Sequence, residues 1–342
     1  MSDLFFDYTL PEHLIAQEPA ARRDESRLLV VRRGTGELEH RVFRDLPELL
    51  APGDLVVLND TRVLPARVVG RRERTGGKWE GLFLRETAGG WEMLAQTRGH
   101  PQVGEAFAVE PGPLRLALAG RTAERHWLMA PDQPGTVAEL LGRFGRVPLP
   151  PYIRKGRAGG ADAERYQTVY ADRSGSVAAP TAGLHFTPEL LARLADRGVG
   201  TARVTLHVGL GTFEPVKADD PTRHAIHAEW CEVPAATVGA ILAAKARGGR
   251  VVAVGTTTTR TLETAARSDG LRPYSGDTGL FIHPPFGFRV IDALVTNFHL
   301  PRTTLLLLVG AFAGGELLRR AYEETVRREY RFYSYGDAML IL

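Results

Sequence analysis

Polar and ionisable side chains are concentrated in two apolar segments close to the end of the chain. Asp292, Asn297 and His299 lie within or beside one apolar run, and Asp337 precedes the apolar final residues. Burying a carboxylate, a carboxamide or an imidazole is costly unless the group finds a partner. We therefore expect these residues to be either fully hydrogen-bonded structural groups or the floor of a site. Two such clusters favour an enzyme.

A third candidate site lies where a predicted buried strand meets a helix. Gly255 closes the strand, and Thr256 and Thr257 begin the predicted helix. Free backbone N–H groups and the positive end of the helix dipole suit such a junction to a carboxylate, a phosphate or a ribose. The alternative is an N-capped helix in an ordinary strand-to-helix turn.

Two histidines are further candidates for proton transfer. His185 lies with Thr181 just upstream of a capped helix, where both can face a ligand or simply pack in a loop. His207 lies in a strand pattern that continues through Gly209 and Gly211, and glycines permit close backbone approach. A lone histidine in a strand is more often a satisfied core group than a catalyst, so both interpretations stay open.

Composition limits the class of protein. The 342 residues are 44% hydrophobic and 24% charged, which is ordinary for a soluble globular protein. Cys231 is the only cysteine, so an intramolecular disulfide and a cysteine metal cluster are excluded, and a reducing cytoplasmic location is expected. The N-terminus lacks the pattern of a signal peptide, and the longest apolar run is too short to cross a bilayer.

Basic residues are unevenly distributed. The net charge of the chain is +3, yet residues 62–131 alone carry ten Arg and one Lys against seven Glu, a net of +4. This excess favours a module that faces a polyanion, with Arg71, Arg72 and Arg74 as predicted phosphate contacts. The alternative is a small solvated domain with a chance excess of charge.

The spacing of apolar residues predicts two kinds of domain. Short strands separated by glycine and proline turns indicate a barrel or sandwich at 64–150, with strands near 66–69, 79–84, 91–95, 114–118 and 125–129. Strands and helices alternate elsewhere. The strands are predicted at 28–33, 37–43, 55–58, 202–208, 250–255, 280–282 and 289–295, and the helices near 188–197, 235–247, 256–263, 304–311 and 316–328. We predict a layered α/β/α catalytic domain, residues 1–63 and 151–342, interrupted by an inserted barrel-like β domain.

Several well-defined motifs are missing. The sequence contains no G-x-G-x-x-G, H-E-x-x-H, G-x-S-x-G or P-loop. His227 and Glu229 have the H-x-E spacing of zinc nucleobase deaminases, but those enzymes need a cysteine pair that this chain lacks. A metal site is therefore not predicted.

The motifs together resemble one family, the S-adenosylmethionine:tRNA ribosyltransferase-isomerases of queuosine biosynthesis. The resemblance covers nearly the whole chain through FDYTLP (6–11), LIAQ (14–17), SRLL (26–29), GDLVVLNDTRVLPAR (53–67), PLPPYI (148–153), YQTVY (166–170), SVAAPTAGLHFT (176–187), HVGLGTF (207–213) and the two C-terminal clusters. Departures are conservative except for Pro285, which replaces a glycine and removes an N–H in its loop.

The resemblance implies an unusual reaction. The ribosyl part of S-adenosylmethionine moves to the aminomethyl group of 7-aminomethyl-7-deazaguanine in the tRNA anticodon, adenine and methionine leave, and the product is epoxyqueuosine. The sulfonium acidifies the C5′ protons, so a positioned carboxylate or imidazole can serve as general base. S-adenosylmethionine is then a co-substrate, and we expect no resident cofactor, a monomeric chain and no membrane partner.

The resemblance also suggests residue roles. Proton transfer is assigned to Asp292, His299, Asp337, His185 and His207. Binding of S-adenosylmethionine or stacking on a base is assigned to Gly255, Thr256, Thr257, Thr181, Phe298, Tyr333 and Tyr335. Phosphate contacts are assigned to Arg27, Arg62 and Arg67. Asn59 and Asp60 are alternatively turn formers, and Asp292 is alternatively a buried structural acid.

Two other classes of function compete with this one. A non-catalytic RNA-binding module fits the basic insertion but leaves the buried polar clusters without a purpose. An ordinary S-adenosylmethionine-dependent methyltransferase would leave the adenosyl group intact, so the products distinguish the three.

Overall fold

The structure, a computed structural model, describes residues 7–209, 226–267 and 270–342. Phe6, Gly211 and the 210–213 part of the HVGLGTF motif lie outside the described residues. The chain divides into two compact units. The first comprises residues 7–62, 167–173 and the described part of 179–342, and the second comprises residues 63–166 and 174–178.

The described chain contains the following regular elements. The strands are β1 (Arg27–Arg32), β2 (Glu37–Val42), β3 (Leu55–Asn59), β4 (Thr61–Val63), β5 (Arg67–Arg72), β6 (Lys78–Thr87), β7 (Gly90–Thr97), β8 (Ala106–Val109), β9 (Arg115–Arg121), β10 (Trp127–Pro131), β11 (Arg173–Ser176), β12 (Gly200–Leu206), β13 (Glu229–Val233), β14 (Val251–Val254), β15 (Tyr274–Thr278), β16 (Ala293–Asn297) and β17 (Ala338–Ile341). The α-helices are α1 (Leu46–Leu49), α2 (Val137–Phe144), α3 (Asp162–Arg165), α4 (Pro188–Asp196), α5 (Ala235–Ala246), α6 (Gly255–Ala265), α7 (Thr304–Ala313) and α8 (Gly315–Arg327). Short 3-10 helices span Glu12–Leu14, Arg23–Glu25, Phe43–Asp45, Arg154–Gly156 and Thr181–His185.

A mixed sheet organises the first unit. Among the described residues nine strands pair in the order β15-β13-β12-β3-β14-β16-β17-β1-β2. The four central strands β12, β3, β14 and β16 are parallel to one another. Their carboxyl ends therefore meet at the same edge of the sheet, which is where open α/β sheets usually bind ligands.

Hydrophobic cores cover both faces of this sheet. Side chains alternate along each strand, so Val57 and Leu294 face one core and Val56 and Val295 face the other. Helices α5, α6, α7 and α8 pack on the first face, and α1 and α4 pack on the second. The predicted layered α/β fold is confirmed.

The second unit contains a closed antiparallel barrel with the strand order β10-β7-β6-β5-β8-β9. Aromatic side chains fill its interior, and edge-to-face pairs join Trp79 to Phe107 at 5.1 Å and Phe107 to Trp127 at 5.4 Å. The predicted barrel-like β module is confirmed. One of its strands, β8, was not predicted.

Two predicted strands of the first unit differ from the structure. Residues 280–282 do not form a strand, although Leu280 and Ile282 are buried in the core, and β15 is the edge strand of the sheet. The strand predicted at 289–295 lies at Ala293–Asn297 instead. The amides of Val290 and Ile291 donate to Glu263 Oε1 at 3.0 and 3.2 Å, so a carboxylate rather than a neighbouring strand satisfies them.

Asp54 joins two central strands at the edge opposite the carboxyl ends. Its carboxylate accepts from the amides of Ala51 and Arg250 at 2.8 Å each and from Arg250 Nη2 at 2.6 Å. Burial alone would raise the pKa of Asp54, but the hydrogen bonds from Arg250 and Ala51 hold it below its ordinary value. These bonds align the starts of β3 and β14, whose other ends carry candidate site residues.

We expect Asp54→Asn to lower the free energy of unfolding at pH 7 by about 2 kcal/mol, because a buried charge-assisted network loses its charge and one acceptor. A folded pKa below the ordinary 3.8 means that the carboxylate stabilises the fold above that pH. The advantage of the wild type over the variant should therefore be lost as the pH falls through the folded pKa. Urea titrations at several pH values measure the free energy of unfolding of both proteins.

Glu316→Gln, which alters an exposed ion pair, is the control and should change the free energy of unfolding little. A loss for Asp54→Asn that is the same at every pH would contradict the electrostatic account.

Candidate active site at the carboxyl ends of the parallel strands

Residues of the candidate site lie at the carboxyl ends of all four parallel strands, at one edge of the sheet. β3 ends at Asn59 and is followed by Asp60, His207 follows β12, Gly255 follows β14, and β16 ends at Asn297. The structure thus brings His207 and Gly255 to the same edge as Asn297, although they are far apart in the sequence.

Asn59 ties three elements together at this edge. Its Oδ1 accepts from the amides of Thr61 and Leu206 at 3.1 and 3.0 Å. Its Nδ2 donates to the Leu206 carbonyl at 3.1 Å and to Thr257 Oγ1 at 3.2 Å. The side chain is 1% exposed and its hydrogen-bonding capacity is saturated. Asn59 is therefore a structural group that fixes β12 and the first turn of α6 against β3.

Helix α6 begins at the strand-to-helix junction without a side-chain cap. Gly255 has a φ of +89°, in the left-handed region that favours glycine, and α6 begins at this residue. The hydroxyls of Thr258 and Thr259 bond back to the carbonyls of Val254 and Gly255 at 2.7 and 3.1 Å. The first N–H groups of α6 have no partner within the helix. They belong to Gly255, Thr256 and Thr257, and a role of these residues in binding stays a prediction.

The 3-10 helix Thr181–His185 lies against the end of β16. Thr181 Oγ1 donates to Asn297 Oδ1 at 2.8 Å, and Asn297 Nδ2 lies 3.2 Å from His185 Nε2 and 3.2 Å from the Tyr333 carbonyl. Since the Asn297 amide is a donor, His185 Nε2 accepts and the ring is neutral. Burial lowers the pKa of His185 to about 4, which agrees with a neutral ring at pH 7. The sequence-predicted residues Thr181, His185 and Tyr333 thus meet around Asn297.

Asp60 is the least satisfied buried acid of this edge. The residue is 7% exposed, and its Oδ1 accepts from Thr205 Oγ1 at 2.7 Å. Among the described residues its second oxygen has no hydrogen-bond partner. Burial raises the pKa of Asp60, and the Thr205 hydrogen bond and Arg203 only partly oppose this. Such a carboxylate is poised to accept a proton.

His207 lies beside the same turn. Its Nδ1 is 2.8 Å from Thr61 Oγ1, and its ring stacks on Trp230 with 5.1 Å between centroids and 22° between planes. Burial, and then the charge of Arg173, lower the pKa of His207. In the part of the chain that the structure describes, Nε2 has no hydrogen-bond partner. His207 is thus neutral at pH 7 with one ring nitrogen available.

Asp292 is not brought to this edge. It precedes β16, so roughly 16 Å of extended strand separates it from Asn297. Its carboxylate accepts from the amide of Val251 at 2.8 Å and lies 3.3 Å from Lys245 Nζ, with the side chain 38% exposed. These contacts are those of a structural acid at the opposite edge, the alternative left open by the sequence.

Phe298 and His299 lie in the hydrophobic core rather than at the edge. Phe298 is fully buried and packs edge-to-face against Tyr322 and Tyr330 at 5.7 and 5.6 Å. His299 Nε2 is 2.8 Å from Thr296 Oγ1, and burial lowers the pKa of His299 to about 3. Stacking of Phe298 on a base would require the core to open, and His299 is a neutral buried group.

Two backbone amides, one of them from β1, hold Asp337 of the second C-terminal cluster. Asp337 is 2% exposed and accepts from the amides of Arg27 and Arg331 at 2.9 and 2.8 Å. Burial raises the pKa of Asp337, opposed by these two bonds. The rings of Tyr333 and Tyr335 are buried, at 6% and 3% exposure. Asp337 therefore joins β1 to the C-terminal segment.

The three predicted phosphate contacts are engaged within the protein. Arg27 lies 3.6 Å from the Tyr330 ring centroid and donates to the Arg328 carbonyl at 2.9 Å. Arg62 is exposed and donates to the Ala171 carbonyl. Arg67, in the second unit, pairs with Glu80 at 2.6 Å. Their contact with RNA stays a prediction.

Sequence reasoning missed Thr168 and Tyr170 and treated Asp60 only as a turn former. The hydroxyls of Thr168 and Tyr170 are buried without a partner among the described residues, and a Cβ at Gly183 would lie 2.1 Å from the Tyr170 hydroxyl. Unpaired buried hydroxyls are costly, which marks both as candidates for a water or ligand contact. Two features of the sequence could have indicated these residues. Thr168 and Tyr170 lie inside the YQTVY motif, and Asp60 directly follows a buried strand.

Within residues 7–209, 226–267 and 270–342, no three His, Cys, Asp or Glu side chains are grouped so that they could hold a metal ion. None of the helices in these ranges is both long and apolar enough to cross a membrane.

We expect Asp337→Asn to destabilise the fold by about 1–3 kcal/mol, because the asparagine amide would face a buried N–H and leave it unpaired. Chemical denaturation at pH 7 measures the loss. Glu329→Gln, an exposed acid in the same segment, should leave stability within about 0.5 kcal/mol. Equal stability of Asp337→Asn and the wild type would show that the carboxylate does not hold this segment.

The chain is similar to known proteins over nearly its whole length. A family model described as "Queuosine biosynthesis protein" matches residues 4–341. The S-adenosylmethionine:tRNA ribosyltransferase-isomerases of Symbiobacterium thermophilum and Pelotomaculum thermopropionicum are 53% and 50% identical to this chain over 339 residues, 98% of each protein. The crystal structure of the S-adenosylmethionine tRNA ribosyltransferase of Thermotoga maritima is 40% identical, with a TM-score of 0.57, over 98% of this chain and 99% of that one. The resemblance found in the sequence motifs is confirmed, and the chain belongs to the queuosine biosynthesis protein family.

Proposed function

We propose that this protein transfers and isomerises the ribosyl moiety of S-adenosylmethionine onto 7-aminomethyl-7-deazaguanine in a tRNA anticodon, giving epoxyqueuosine and releasing adenine and methionine. Relatives that match nearly the whole chain are named S-adenosylmethionine:tRNA ribosyltransferase-isomerases, which supports a ribosyl transfer to tRNA with isomerisation. The observation that carries the proposal is the meeting of Asp60, His207, the α6 N-terminus and the Asn297 cluster at one edge of the sheet. That edge combines a proton acceptor with a place for a carboxylate or ribose.

We assign proton transfer to Asp60 and His207. Removal of a C5′ proton beside the sulfonium needs a base, and the pKa of Asp60 is raised by burial, which makes its carboxylate a better proton acceptor than an ordinary aspartate. His207 is neutral and has Nε2 available, so it is the second group able to accept or return a proton. Adenine leaves more easily when it is protonated, and Asp60 or His207 can return the proton that it has accepted to the adenine. His185, held by Asn297, serves to position the edge rather than to titrate.

Binding of S-adenosylmethionine is assigned to the strand-to-helix junction. The free N–H groups at Gly255–Thr257 suit the methionine carboxylate or the ribose hydroxyls. Thr181 and the buried hydroxyls of Thr168 and Tyr170 are further polar groups of the first unit near the 3-10 helix. We further propose that the reaction uses no resident cofactor or metal ion and that the protein acts as a cytoplasmic monomer.

We expect the purified protein, given S-adenosylmethionine and tRNA that carries 7-aminomethyl-7-deazaguanine, to release adenine and methionine in equal amounts with formation of modified RNA. Chromatography of the small products and mass spectrometry of digested RNA measure this. S-adenosylhomocysteine as the main product would indicate a methyltransferase instead. Binding of RNA without any small product would indicate an RNA-binding module, and loss of activity on adding a chelator would contradict the metal-free chemistry.

We expect Asp60→Asn to lower the turnover number by about 10²–10⁴-fold, the range for a lost general base. Stability at pH 7 should not fall, because a raised folded pKa means that the ionised carboxylate destabilises the fold above that pKa, and asparagine still accepts from Thr205. Asp172→Asn, an exposed acid whose charge reaches Asp60, is the control and should keep turnover within a few-fold. Near-normal turnover of Asp60→Asn would remove Asp60 from the chemistry and leave His207 as the base.

A further inference from the structure

An open groove of about 670 Å³ lies on the wall of the barrel in the second unit. We call it the barrel groove. Residues of β5, β6 and β7 and of the segments after β7, β8 and α2 line it: Val69, Gly70, Arg71, Lys78, Trp79, Glu80, Gln96, Thr97, Arg98, Glu110 and Arg146. All of them lie within residues 63–166, so the groove belongs to the barrel unit alone.

Four exposed cations line the barrel groove, and its two acids are already engaged. Among the described residues Lys78, Arg98 and Arg146 have no ion pair, and Arg146 Nη2 donates to the Glu110 carbonyl at 3.3 Å. Glu80 pairs with Arg67, which lies outside the groove, at 2.6 Å, and Glu110 pairs with Arg71 at 3.1 Å. Burial would raise the pKa of Glu80, but hydrogen bonds from Arg67 and Gln96 hold it below its ordinary value. The uncompensated charge of the groove is therefore positive.

The structure gives different surroundings to the three arginines that the sequence indicated as phosphate contacts. Arg72 is 4% exposed and donates to Glu105 at 2.6 and 2.8 Å, which makes it part of a buried ion pair. Arg74 lies 3.7 Å from the same carboxylate. Only Arg71 of that cluster lines the groove. Neutralising Arg72 would leave Glu105 buried and unpaired, so such a variant would test stability rather than RNA binding.

The lining also limits the kind of ligand. Trp79 is 3% exposed, packs on Phe107 and donates its indole N–H to the Ala108 carbonyl at 3.2 Å, so its ring fills the barrel. Exposed Gln96 and half-buried Thr97 add polar groups. A surface of cations and neutral polar groups without an exposed aromatic ring suits phosphates rather than unstacked bases.

We propose that the barrel groove binds the phosphate backbone of the tRNA substrate, mainly through Lys78, Arg98 and Arg146. This inference rests on the proposed function, since it takes tRNA as the partner. Phosphate contacts of this kind give affinity that depends on salt and little on base sequence.

The test compares two triple variants of the full-length protein that lose the same charge. The groove variant carries Lys78→Gln, Arg98→Gln and Arg146→Gln. The control carries Arg115→Gln, Arg121→Gln and Arg125→Gln, exposed arginines of the same unit that do not line the groove. Dissociation constants for the tRNA are measured by fluorescence anisotropy between about 50 and 200 mM salt. Melting curves of all three proteins check that the fold is retained.

The groove variant should bind tRNA at least about tenfold more weakly than the wild type. The magnitude of the slope of log K against log salt should fall by about 3, which is about one unit for each lost phosphate contact. The control should keep most of the wild-type slope. Lys78→Arg alone should bind as the wild type does, since it keeps the charge. Wild-type affinity and slope in the groove variant would overturn the proposal, and so would an equal loss in the control, because the effect would then be one of net charge.

Steady-state assays separate failure of this inference from failure of the proposed function. If the wild type releases adenine, the groove variant should show a raised KM for tRNA and a turnover number near that of the wild type. An active wild type with an unchanged KM in the groove variant overturns only the groove proposal. A wild type that binds tRNA with the predicted salt dependence but releases no adenine overturns the proposed function and leaves the groove as an RNA-binding surface.

Discussion

The buried carboxamide of Asn59 is the constraint on which the candidate active site depends. It satisfies four hydrogen bonds at once, two with the backbone of Leu206, one with the amide of Thr61 and one with the hydroxyl of Thr257. These bonds hold the end of β12 and the first turn of α6 against β3. The positions of Asp60, His207 and the free N–H groups of α6 follow from them. A side chain with only donors, only acceptors or no polar atoms would leave buried backbone groups unpaired.

Three buried aspartates of the first unit show how environment divides structural from chemical roles. Asp54 is surrounded by two amides and a guanidinium, and Asp337 accepts from two amides. Asp60 accepts from one hydroxyl and has an oxygen to spare. Burial raises the pKa of both Asp60 and Asp337. The oxygen without a partner among the described residues is therefore what sets Asp60 apart as a group available for proton transfer. The least satisfied acid, not the most buried one, is therefore the stronger catalytic candidate.

Much of the fold could be predicted because local signals agree with tertiary packing. Thr187 and Pro188 begin α4 as capping rules require, and the fully apolar pattern at 251–254 is a central parallel strand. The site was harder, because the role of Asp292 depends on which end of β16 it occupies. Apolar Val290 and Ile291 extend the strand pattern, but their amides bond to Glu263, so the strand begins after Asp292. The depth of Phe298 and His299 depends likewise on which face of β16 meets the larger core, which a single sequence does not specify.

A crystal structure of the protein with S-adenosylmethionine bound tests the central claim most directly. The account predicts density for the ligand at the carboxyl ends of β3, β12, β14 and β16, with its carboxylate or ribose within hydrogen-bond distance of the first-turn N–H groups of α6. It also predicts that the C5′ carbon lies within reach of the Asp60 carboxylate or His207 Nε2. Density at the opposite edge, beside Asp292 and Asp54, or in the barrel groove would contradict the assignment of the active site.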